Sequence, residues 1–300
     1  MTRQTQPESG GPREKGAEHS EGSGRPLASV TPGTDGMTEP GDPWAHAGLP
    51  REPVRDDRGN IVLAHTPTTR EGRPWADLAW RMPHVDAARC ADVLCSTLRG
   101  WVLSTEDEAL GTELIGRGAR ILRHAHGYSR DLRAAPAPSA WSAPEVPAGL
   151  RLTGVERTAE ELARLLLVAY PPGHPDCFGW TPTEARQEVA GILAGKVLGP
   201  LLPCSGLALD GDKVVGVCLV TLRDGTPPHG GPWVIEVYRH PAPRYAGAGA
   251  ALLRRALWLA TRAELPALSL VVSDGNPARR VYERLGFRHV GASRTLELPT

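Results

Sequence analysis

The stretch Arg244-Tyr245-Ala246-Gly247-Ala248-Gly249-Ala250 has the residue types and spacing to do chemistry. It follows a β-branched and aromatic run, Val234, Ile235, Val237 and Tyr238, which breaks at Pro241 and Pro243. It leads into a helical pattern with Leu252, Leu253, Ala256, Leu257 and Ala260 on one stripe. Small residues at a helix start let a ligand approach the backbone, and the free N–H groups there point at anions. The reading is a strand, a phosphate-cradling turn and a helix. A P-loop would end in Gly-Lys-Ser/Thr, which this chain lacks there. A dinucleotide fingerprint would place Gly or Ala where Leu252 stands, and its strand-to-glycine gap would be shorter.

Other reactive side chains have blander readings. His124 and His126 alternate along a strand and share a face. With no carboxylate or cysteine obviously placed beside them, they and His84 are expected to be structural or surface residues. His174, Asp176 and Cys177 sit in a Pro/Gly-rich segment that reads as a shaped loop rather than a metal site. Arg279, Arg280 and Arg284 read as a solvated helix face within reach of phosphate. The five cysteines show no Cys-x-x-Cys spacing and are expected to be free thiols in a reducing cytosol.

Composition limits the partners. Lys+Arg and Asp+Glu are both 34, which argues against general nucleic-acid or anionic-membrane binding. No apolar run approaches the ~18 residues that span a bilayer, and the N-terminus lacks the apolar core of a signal peptide. A cytoplasmic protein is expected.

Around the glycine turn, the elements follow from capping and periodicity. Residues 1–60 are rich in Gly, Pro, Ser, Glu and Arg and are expected to form a disordered tail. Residues 61–133 read as a small α/β accessory module: a helix over Asp86 to Leu98, a strand over Gly100 to Ser104, a helix over Glu106 to Gly116 and strand character from Ala119 to Tyr128. The Pro/Ala segment 134–149 predicts a linker and a domain boundary. From Leu150 the chain predicts a strand, then a helix behind the Thr158/Glu161 capping box. A loop from Tyr170 to Trp180 precedes a helix with Pro182 at its first position, running to about Leu198. A hairpin turns at Asp210-Gly211-Asp212. After the central strand, turn and helix come a buried strand over Leu268 to Val272, a helix capped by Asn276 and ended by Gly286, and two closing strands.

Arg244-Tyr245-Ala246-Gly247-Ala248-Gly249 matches an Arg/Gln-x-x-Gly-x-Gly/Ala signature. A second motif follows in the right order, Asn276-Pro-Ala-Arg-Arg-Val-Tyr282-Glu-Arg-Leu285-Gly286-Phe287. With this element order, residues 150–300 resemble the GCN5-related N-acetyltransferase (GNAT) superfamily. The resemblance implies an α/β (α+β) fold, a mixed central β-sheet flanked by helices, and transfer of acetyl from acetyl-CoA to a small-molecule or peptide amine in a direct ternary complex. It places pyrophosphate on Tyr245 to Ala250 with Arg244 close by, and the pantetheine arm along Val237 and Tyr238. Asn276 adds a coenzyme contact, and Tyr170, Phe178 and Trp180 line the acceptor pocket. Tyr282 is implied as general acid to the leaving thiolate, the parent values being ~8.5 for a thiol and ~10 for a phenol. Glu236 is implied as general base to the amine. Ala246 departs from the usual Arg or Lys and implies weaker coenzyme binding. The alternative is a non-catalytic acyl-CoA-binding or regulatory module, and Tyr282→Phe distinguishes the two. The segment 100–118 repeats the order of the last third, with Leu114 opposite Tyr282, so the accessory module is read either as a degenerate half-GNAT or as a small unrelated α/β module.

Overall fold

The computed structural model of the chain describes residues 50–70, 72–177 and 179–300. The first half contains β1 (Glu52–Arg55), β2 (Ile61–Arg70), β3 (Arg73–Arg81), α1 (Ala87–Thr97), β4 (Val102–Thr105), α2 (Glu108–Gly116) and β5 (Arg120–Asp131). The second half contains β6 (Leu150–Thr153), α3 (Ala159–Ala169), α4 (Pro182–Leu193), β7 (Gly206–Asp210), β8 (Lys213–Arg223), β9 (Gly231–Arg239), α5 (Ala248–Arg262), β10 (Ala267–Ser273), α6 (Arg279–Arg284) and β11 (Arg288–Glu297).

The eleven strands of the described residues form one mixed sheet in the order β1-β2-β3-β4-β11-β5-β10-β9-β8-β7-β6. Two pairings are parallel, β3 with β4 and β9 with β10. The centre of the sheet is an exchange. β5 lies between β10 and β11, and β11 lies between β4 and β5. Each half therefore completes the other. Tyr128 and Leu132 from the first half are buried with α5, β8, β10 and Tyr282. Leu296 and Leu298 from the end of the chain are buried with α1 and α2.

Strand alternation builds the remaining core. Leu207, Leu209, Val217 and Leu219 face α3 and α4, while Ala208, Cys218 and Val220 pack with α5. Both faces of β7 and β8 are thus covered, which explains their near-continuous apolar runs. Thr158 and Thr181 open α3 and α4 with complete capping boxes.

Four expectations need adjustment. The stretch expected as tail reaches into described structure, because Glu52–Arg55 pairs with β2. Val54 points inward and is buried, and so anchors this strand. Segment 134–149 carries a 3-10 turn at Ser139–Ser142 in place of an open linker. There Trp141 packs on the core and the Arg130 guanidinium stacks 5.0 Å above it. The sheet runs through the expected boundary, since β5 has both its partners in the second half. The last two expected strands are one, β11, with a register shift between His289 and Gly291.

Candidate active site at the splayed strands

The parallel pair β9 and β10 holds register only at Ser269↔Trp233. Beyond it the strands diverge, and near Val237 and Tyr238 β9 has no strand partner on its β10 side among the described residues, while its opposite edge stays bonded to β8. A register shift opposite Leu219/Val220 places an extra residue, Ile235, in β9 just before Glu236. The result is a cleft of about 1430 Å³ at the mouth of the splay. That exceeds the ~300–1,000 Å³ of an ordinary ligand pocket and leaves room for two molecules.

One end of the cleft is the start of α5. A 3-10 turn, Pro243–Tyr245, delivers the chain to Gly247, whose φ of +94° suits glycine. No side chain caps the helix, and the backbone N–H groups of Gly247, Ala248, Gly249 and Ala250 have no acceptor among the described residues. A Cβ at Gly249 would meet nothing within 4 Å. Protein packing therefore does not require glycine there, and in a helix it costs ~0.5–1 kcal/mol relative to alanine. An open row of donors on a bare helix end suits a phosphate group.

At the other end sit the titratable groups. Burial, with Glu188 next to it, pushes the Glu236 carboxyl up to about 8. The Tyr170 hydroxyl lies 3.4 Å from Glu236 Oε2 and from the Val237 carbonyl oxygen. Burial, then Asp176, Cys218 and Glu236, push the Tyr282 phenol well above its ordinary value, so it keeps its proton. Its ring packs edge-on to Phe287 at 6.1 Å, and it borders the same cleft as Glu236.

The model of the acetyltransferase (GNAT) family matches residues 159–287. The GNAT family match lies wholly within the second half of this chain. No curated protein matches the chain. Among solved structures, a GCN5-related N-acetyltransferase from Sphaerobacter thermophilus aligns over 81% of this chain and 78% of its own, with a TM-score of 0.56 at 17% identity. A functionally unknown conserved protein from Staphylococcus epidermidis aligns over 86% and 98%, with a TM-score of 0.54 at 13% identity. A tandem GNAT protein from the clavulanic acid biosynthesis pathway aligns over 80% and 80%, with a TM-score of 0.53 at 17% identity. Likeness at these identities is likeness of fold. It reaches beyond residues 159–287 into the first half.

Within the matched region, the residues singled out from sequence take different places. Gly247, Gly249, Ala250, Val237, Tyr238, Glu236, Asn276, Tyr282, Tyr170 and Trp180 border the cleft. Phe178 lies outside the described residues. The Tyr245 side chain is buried in the core, and its hydroxyl donates to Asp210 Oδ2 at 2.8 Å. Arg244 stacks 4.6 Å above that ring and pairs with the same carboxylate at 3.6 Å. Ala248, the first residue of α5, is buried on the inner side of the helix, and Arg244, Tyr245, Ala246 and Ala248 do not border the cleft. Asn276 caps a turn rather than the helix, which begins later, at Arg279. Its Oδ1 accepts from Ala278 N at 2.8 Å, and its Nδ2 donates to Asp176 Oδ2 at 2.6 Å.

Asp176 is the tether of the Tyr170–Trp180 loop. Its carboxylate accepts from the Ser273 amide at 3.2 Å, from the Ser273 hydroxyl and from Arg123 at 3.2 Å. The hydrogen bonds from Ser273 and Asn276, with the Arg123 charge, hold its carboxyl below the ordinary range against the opposing effect of burial. Sequence reasoning placed Asp176 in a loop but missed its partners, which come from β5 and the end of β10. It also missed Glu188. The signal was there: Glu184 and Glu188 are like charges at i,i+4, an arrangement that disfavours an isolated helix. Trp75 and Trp233, which also border the cleft, had no signal.

Proposed function

We propose that this protein transfers an acetyl group from acetyl-CoA to an amine, with Tyr282 as general acid and Glu236 as general base. The observation that carries the reading is one cleft that joins the bare N-terminus of α5 to a proton-holding phenol and a carboxyl poised near 8. The coenzyme would supply a thioester carbonyl for the amine to attack. The N–H groups of Gly247 to Ala250 would hold its diphosphate, with Arg244 close by and Tyr245 and Ala246 shaping the turn. The free edge of β9 at Val237 and Tyr238 would take its amide-bearing arm, and Asn276 would keep the facing turn in place. Glu236, in its ionised form, takes the proton that the acceptor ammonium must lose. Tyr282 gives its proton to the departing sulfur.

Tyr170 and Trp180, with Trp75 and Trp233, furnish the acceptor side. The carboxyls of Glu188 and Glu236 border this space, and neither has an ion pair among the described residues. We further propose that the first half is a degenerate copy of the GNAT domain, for it repeats the order strand, helix, parallel strand, helix, strand.

Thermal unfolding of the full chain with acetyl-CoA, CoA and NAD tests the coenzyme. A ligand that binds only the folded state adds about 2.7 kcal/mol at a hundredfold excess over Kd. A rise with both CoA species and none with NAD is expected. A response to NAD alone, or to none of the three, overturns the reading.

A further inference from the structure

His124 and His126 are neighbours on one face of β5, and the structure supplies the carboxylate that their sequence context lacked. Asp274, just past the end of β10, brings Oδ1 to 3.5 Å from His126 Nε2 and Oδ2 to 4.0 Å from His124 Nδ1. The two imidazole nitrogens and the carboxylate oxygen lie within 4.8 Å of one another. Neither histidine borders the large cleft, which Arg123 and Gly127 reach from the other face of the strand.

Three details distinguish the cluster from chance surface histidines. The Asp274 amide donates to the His124 carbonyl at 2.8 Å, so the carboxylate is carried by a turn already fixed to β5. His126 Nε2 is shielded from solvent and has no hydrogen-bond partner among the described residues. His126 Nδ1 lies 3.4 Å from His289 Nε2 on β11. When Nδ1 donates to that neighbour, the Nε2 lone pair is directed at the Asp274 side. An outer partner that fixes the tautomer in this way is a regular feature of metal-binding imidazoles.

We propose that His124, His126 and Asp274 bind one zinc-like divalent transition-metal ion, with His289 orienting His126. Tetrahedral zinc with bonds of about 2.0–2.1 Å places its ligand atoms roughly 3.4 Å apart. The spacing from His126 Nε2 to Asp274 Oδ1, 3.5 Å, is already near that value, and side-chain rotations bring in His124 Nδ1, which lies 4.0 Å from the other carboxylate oxygen. Two imidazoles with one carboxylate select such an ion over magnesium or calcium, which take oxygen ligands. Asp274 is largely exposed, so water completes the coordination and the ion exchanges. The ligands come from both halves of the chain. The ion clamps the turn Asp274-Gly275-Asn276, which holds the acceptor-side loop through Asn276 and Asp176.

The test is isothermal titration of the full chain with Zn²⁺ alone, with Co²⁺ absorption as a second readout. One ion per chain is expected, with a tetrahedral cobalt spectrum. His124→Ala/His126→Ala abolishes binding, and His289→Ala weakens it about 10–100-fold, as the loss of an outer-shell partner does. Binding to the double variant as tight as to the parent, or no binding to the parent, overturns the proposal. If the double variant does not fold, Asp274→Asn at its exposed position takes its place. Unchanged affinity in that variant refutes the site.

Discussion

α1 and α5 occupy the same place in the two halves, each bridging a parallel pair of strands, β3 to β4 and β9 to β10. Their N-termini differ in one respect. At α1 the Asp86 carboxylate accepts from the amides of Ala88 and Arg89. At α5 the cap is Gly247, no side chain intervenes, and the donors face the cleft. The next helices diverge in the same way. Both end in one motif: Ala119 bonds back to Leu114 and Gly118 to Ile115, as Phe287 does to Tyr282 and Gly286 to Glu283. The matched position is Leu114 in the first half, fully buried, and Tyr282 in the second, whose phenol reaches the cleft. The same backbone serves stability where the helix end is satisfied internally. It can serve binding where the end is left bare.

This contrast can be broken from either side. The largest effect is expected from Tyr282→Phe, a loss of about 10²–10⁴ in kcat in a steady-state acetyl-transfer assay. Leu114→Tyr in the other half should restore none of it. A variant that keeps full turnover would remove Tyr282 from the chemistry. Next is the pH profile. A carboxyl raised to about 8 is neutral below that value and cannot take a proton. The rate should therefore rise about tenfold per pH unit up to about 8 and level off above. Glu236→Gln should remove that limb, and a flat profile in the parent would sharpen the choice between base and mere lining. The smallest effects separate the two helix ends. Asp86→Ala should cost about 0.5–2 kcal/mol in denaturant unfolding with no change in KM for acetyl-CoA. Gly249→Ala should do the reverse: it should gain about 0.5–1 kcal/mol and raise that KM. Equal stability losses in both variants would end the distinction.

The second half was legible because local signals carry it. The capping box at Thr158, Pro182 at the start of α4, the Asp210-Gly211-Asp212 turn, Gly247 and the Gly286 stop are each written within a few residues. Strands β1 to β3 were not resolved into elements. In β3 the bulge near Leu78, with its φ of +50°, and the edge position of β1 blur a period of two. The exchange of β5 and β11 was out of reach for a different reason. Arg120 to Asp131 reads as a strand either way, and only pairing with distant residues decides its neighbours. The same holds at the site. Glu236 and Tyr282 sit in readable motifs, whereas the tether of Asp176 to Ser273 and Asn276, and the approach of Asp274 to two histidines, exist only once the sheet is closed.

The exchanged strands also set a timetable for synthesis. β5 leaves the ribosome long before β10 and β11 exist to pair with it, and Arg130 meets Leu268 only after most of the second half has been made. At about 5–20 residues per second that wait is roughly 7–28 s. Throughout it β5 has two unpaired edges, and α1 and α2 lack Leu296 and Leu298 from their core. Such a nascent chain exposes unpaired strand edges and apolar surface until the second half is made. Folding of the finished chain should be governed by closure of these long-range pairs, the slow class of event in β-rich proteins.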